Sequence, residues 1–136
     1  WKVRQAVFKH EELIDALVQA KRLGNALDEV WSCSQQLADA VDRNDQVSVR
    51  LVLSMREEPL TKVRQADMAL RSQRDSFPDK ADREQFSRLL NGEEEGAGEE
   101  ALLAKQMAQN RRSYQRVMDL ERRLNQKVAR EKGVLA

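Results

Sequence analysis

His10 is the only histidine in the chain and Cys33 the only cysteine, so acid–base, metal or thiol chemistry would have to begin from them. An imidazole acts as a ligand or general base only when partners converge on it, and the near candidates are the adjacent Glu11 and Glu12. That arrangement has no zinc-like spacing, and His10 reads as a solvated helix residue. Cys33 has no histidine or helix start nearby to hold it as thiolate, so it reads as a structural thiol. The sequence contains no Gly-rich phosphate loop, no serine in a nucleophile elbow and no paired carboxylates in an apolar setting. No catalytic, cofactor-binding or metal-binding residue is expected, and the chain is not expected to be an enzyme.

Binding chemistry has better candidates. Leu27, Trp31, Met55 and Met107 stand on or beside apolar stripes, where each serves either core packing or contact with a partner. Trp31 offers a large amphipathic surface, and four flexible thioethers (Met55, Met68, Met107 and Met118) suit either gap filling or tolerant recognition of a helix. The last segment, 101–136, holds nine Lys or Arg against three Asp or Glu, a balance of +6. Arg112, Arg116, Arg123, Lys127 and Arg130 form one basic stripe there, roughly opposite the core positions. The expected reading is a solvated face. RNA, an anionic surface or an acidic partner are the alternatives, and the interleaved aromatics of a single-strand binder are missing.

Those residues must be positioned by helices. The 136 residues include only 5 Gly, 2 Pro and 4% aromatics, while 40% are apolar and 35% charged. Such a composition favours long amphipathic helices in one domain. The 24 basic and 23 acidic residues nearly cancel, so bulk charge does not demand nucleic acid or membrane. No apolar run approaches the ~20 residues of a membrane span. The chain opens on Trp1 rather than Met, which leaves a preceding segment open. A lone cysteine suits a reducing compartment, and the cytoplasm is the expected location.

Spacing divides the chain into four helices. The first spans about 4–42, with apolar residues from Leu13 to Val41 at alternating three and four and Ser34 filling a gap. Its stripe is wide enough for two neighbours, and Gly24 at the edge offers a close approach. "DRND" (42–45) turns the chain back into a second helix, 46–76, whose stripe keeps its phase through Pro59 and therefore predicts a kink there. "SFPD" breaks it before a short helix at 80–90, which "NG" ends. After the acidic loop "EEEGAGEE", the last helix runs over about 99–131, with Asn110 and Glu121 falling among its core positions. The expected fold is all-α: an elongated antiparallel bundle of three long helices with one short helix before the last.

The hairpin "LADAVDRNDQVSVRLVLSMREEPLTKVRQAD", with its polar turn and the pair Arg56–Glu57, resembles the FlgN/FliT-type flagellar export chaperones. The closing "AQNRRSYQRVMDLERRLNQKV" resembles the last helix of FlgN-like proteins. The resemblance implies a small cytoplasmic helical protein that holds the amphipathic C-terminal helix of a secreted filament-junction or cap subunit until export. It carries over no client-contact residue. An over-wide stripe on the first helix is physically able to take a client helix in a groove bordered by Trp31. The same stripe could instead make the chain a self-associating scaffold, a homo-oligomer without a client.

Overall fold

The structure, a computed structural model, describes residues 7–93 and 96–135, without the side chains of the last five of these. Among the described residues all regular structure is helical: α1 His10–Asp42, α2 Gln46–Met55, α3 Glu57–Ser76, α4 Lys80–Leu90 and α5 Glu99–Leu135.

The first helix starts later than its periodicity predicts. Lys9 is extended (φ −72°, ψ 154°), and its N–H donates to the Glu12 carboxylate at 2.8 Å. Just before it, Phe8 turns inward against Phe77 and Phe86, at ring-centroid distances of 5.1 and 5.5 Å. Burying that ring needs the chain to leave the helix axis, so the described residues 7–9 are not helical. The expected residues 4–6 lie outside those described. At the other end α5 runs past the expected stop at 131, through Gly133 to Leu135.

"DRND" builds two caps. Asn44 takes the left-handed conformation (φ 55°). The N–H groups of Asn44 and Asp45 reach back to the carbonyls of Val41 and Ala40 and close α1. Asp45 then accepts from the Ser48 N–H at 3.1 Å and from its hydroxyl at 2.6 Å, opening α2. These Ser48 hydrogen bonds, with Arg43 beside them, hold the Asp45 carboxyl below its ordinary range.

The expected single helix over 46–76 is divided at Arg56, three residues before Pro59. Pro59 occupies the third position of α3, inside the first turn, where the only bond its missing N–H leaves unmade is to the Met55 carbonyl at the end of α2. Arg56 keeps helical angles (φ −68°, ψ −22°). Its N–H still reaches Val52 and its carbonyl still accepts from Leu60. The junction is one residue long, and the stripe keeps its phase through it. Replacing Pro59 with alanine should restore a donor for the Met55 carbonyl but give up a buried ring. The two roughly offset, so a denaturant midpoint should move by about 1 kcal/mol or less in either direction.

α1 is the central element; α2, α3 and α5 all pack on it, whereas the backbones of α3 and α5 stand apart. Gln73 donates to the Glu12 carbonyl and Lys62 meets Glu29, so α3 runs antiparallel to α1. His10 pairs with Glu99, Asn110 with the Ala20 carbonyl, Ser34 with Glu121 and Asp42 with Lys127. Those partners rise together along both helices, and α5 is therefore parallel to α1. α4 makes this possible. It leaves the Phe8–Phe77–Phe86 cluster and ends at Asn91, whose carbonyl accepts from Arg111. The loop after it returns the chain to Glu99 beside His10.

The main core joins Leu13, Ala16, Ala20, Leu23 and Leu27 of α1 to Leu70, Phe86, Leu103 and Met107. Two polar contacts set the register of α5 within this frame. Asn110 is 3% exposed and donates to the Ala20 carbonyl at 2.8 Å. It has room because Gly24 lacks a Cβ, which would stand 2.7 Å from the Asn110 Oδ1. Further along, Glu121 accepts from Arg56 at the α2–α3 junction and lies 3.4 Å from the Ser34 hydroxyl. The polar interruptions in three stripes thus answer one another.

Candidate functional site

Because α3 and α5 flank α1 with their backbones apart, a groove of about 530 Å³ lies between them. Leu23 and Leu27 from α1 and Met107 from α5 form its floor, with Val63 of α3 on one wall. The end of α4 closes it with Leu90 and Asn91. Leu27 and Met107 are only 3% and 7% exposed, so they sit deep, while Tyr114 on the rim is 52% exposed. Methionine at the bottom can adjust to an incoming side chain, and tyrosine at the rim presents a rigid amphipathic ring.

The rim is electropositive. Arg64 and Arg71 come from α3 and Arg111 from α5, against the single carboxylate of Asp67. Asp67 is engaged by Arg71 at 3.0 Å. Arg64 donates to the Thr61 hydroxyl and Arg111 to the Asn91 carbonyl. An apolar floor with an arginine rim can take apolar side chains from one helical face and pair with carboxylates beside them.

The four residues singled out from sequence separate into three places. Leu27 and Met107 meet in the groove floor. Trp31, one turn beyond Leu27 and expected to border a groove, does not line this one. The Arg116 guanidinium lies over its ring at 4.1 Å from the centroid. Met55 stands on α2, 46% exposed.

The basic stripe is also divided. Arg112, Arg123 and Arg130 are exposed, but Arg116 covers Trp31 and Lys127 pairs with Asp42, both on α1. The stripe is therefore not opposite the core along its length. Asn110, Val117 and Leu124 repeat every seven residues, so the packed seam drifts by about 20° per heptad toward the stripe. By Arg116 and Lys127 the two adjoin.

Of the chemistry-bearing residues, His10 is exposed and pairs with Glu99, and Cys33 is buried. Among the described residues no three His, Cys, Asp or Glu side chains are grouped to hold a metal ion, and no helix is long and apolar enough to cross a membrane. Sequence reasoning missed Val63, Leu90, Tyr114 and the three rim arginines. Val63 and Tyr114 carried the available signal, as residues within the stripes of the second and last helices.

Comparison with family models, curated proteins and solved structures finds no match for this chain.

Proposed function

We propose that the chain is a non-enzymatic helix-binding protein that seats the apolar face of an amphipathic helix in the α3–α5 groove. The carrying observation is the open space over α1 between two helices whose backbones stand apart, floored by Leu23, Leu27 and Met107. The arginine rim selects a helix with acidic residues beside its apolar face. The FlgN/FliT-type resemblance makes the amphipathic C-terminal helix of a secreted flagellar subunit the favoured client, held in the cytoplasm until export.

Fluorescence anisotropy with labelled helical peptides tests the reading. A peptide with acidic flanks should bind, and the same apolar face with lysine flanks should bind roughly tenfold more weakly. Reversing both Arg64 and Arg111 to glutamate should invert that preference and leave the helical circular dichroism unchanged, since both side chains are exposed. Equal affinity for the two peptides, before and after reversal, contradicts the assignment of the rim.

A further inference from the structure

α2 is rich in apolar residues and buries almost none of them. Six of its ten residues are Val, Leu or Met, yet only Val52 is buried. Val47 is 79% exposed, Leu51 60% and Met55 46%. These three are spaced four apart and form a continuous ridge on one helical face. An apolar ridge left to solvent marks an interaction surface.

The charges at its two ends indicate the occupant. Before α2, Asp42 is engaged by Lys127 and Asp45 by Ser48. That leaves Arg43, 60% exposed with only a 3.8 Å contact to Asp45. After α2 the balance is reversed. Arg56 is taken by Glu121, and Lys62 is shared between Glu29 and Glu58. Glu57 and the 81% exposed Glu58 are in excess there. A face that is positive at one end and negative at the other is complementary to itself when reversed.

We propose that the α2 ridge is the contact between two copies of this chain, paired antiparallel about a two-fold axis at Leu51. In that register Leu51 meets the second copy's Leu51, Val47 meets Met55 and Arg43 meets Glu58, each pair symmetric about residue 51 to within one position. One short helix per copy is a small interface, so association on the order of tens of micromolar is expected. None of these residues lines the α3–α5 groove. Self-association therefore goes beyond the client-binding reading, and each can fail without the other.

Sedimentation velocity over a protein concentration series tests the pairing. The sedimentation coefficient should rise from that of a monomer to that of a dimer. Leu51→Asp should stay monomeric throughout, with circular dichroism confirming an intact fold. Arg43→Glu and Glu58→Arg should each weaken dimerisation roughly tenfold, and the double variant should recover it. Recovery by the double variant identifies the second copy, in this register, as the occupant. A wild-type monomer at every concentration overturns the proposal. So does a dimer that survives Leu51→Asp, or a double variant that stays as weak as its parents.

Discussion

Phe86→Ala should cost about 4 kcal/mol of stability. The ring is fully buried. It stands 5.5 Å from Phe8 in edge-to-face geometry and 5.2 Å from Phe77, centroid to centroid. The three phenylalanines come from the segment before α1, the end of α3 and the middle of α4. Removing the central one therefore opens a cavity where three parts of the chain meet, which the remaining two rings cannot fill without moving backbone. Typical domains are stable by only about 5–15 kcal/mol, so a large share of the total would go. Equilibrium urea unfolding reads the loss directly. A midpoint shift equivalent to less than about 1 kcal/mol would mean that α4 is not held on this cluster.

Gly92→Ala should be nearly as damaging although it adds a single methyl group. Gly92 closes α4 with φ +81°, a conformation that an L side chain adopts at a cost of about 1–2 kcal/mol. An added Cβ would also stand 2.8 Å from the Ala108 Cα and 2.9 Å from its nitrogen. Those are backbone atoms within α5, so no rotamer change relieves the contact, and overpacking adds about 1–3 kcal/mol. A total near 3 kcal/mol is expected by thermal or urea unfolding. Gly98→Ala is the control: it shares the positive φ (+64°), but its Cβ would meet nothing within 4 Å. It should lose only the conformational part, about 1 kcal/mol. Equal losses at the two positions would show that the α4–α5 approach contributes nothing.

Much of this was legible in the stripes. The turns at 42–45, 76–79 and 91–92 carry cap chemistry that local rules describe, and Asp45, Asp79 and Gly92 act as those rules expect. Gly24 was readable as a site of close approach, though not that Asn110 fills the space. The start of α1 was misread because Phe8 is drawn into a cluster with partners some 70 residues away, which periodicity cannot sense. The division at Arg56 was half legible. Pro59 announced a disturbance, but the helix yields three residues earlier, where the proline falls in a first turn. Glu121 looked anomalous in its stripe until Arg56 and Ser34 came to meet it.

The groove was the least legible part. Leu27 and Met107 are visible as stripe residues, but their meeting depends on α5 lying parallel to α1 and apart from α3. That separation follows from where α4 and its loop return the chain, a property of three-dimensional placement rather than of spacing. Trp31 shows the same limit. Spacing puts it beside the stripe, and only the drift of the α5 seam brings Arg116 over its ring.

The four methionines stand at four different surfaces, which makes their methyl groups direct reporters of where a helix binds. Met107 lies in the groove floor, Met55 on the α2 ridge, Met68 exposed on α3 and Met118 exposed on α5. The decisive measurement is a carbon-13 methyl-methionine NMR titration at fixed protein concentration. The ligands are an amphipathic helical peptide with acidic flanks and, in parallel, the C-terminal helix of a flagellar junction subunit. Occupation of the groove predicts a saturable shift of the Met107 methyl, with those of Met55, Met68 and Met118 nearly unmoved. A Met107 signal that stays fixed while another methionine shifts, or four signals that never move, would contradict helix binding in the α3–α5 groove.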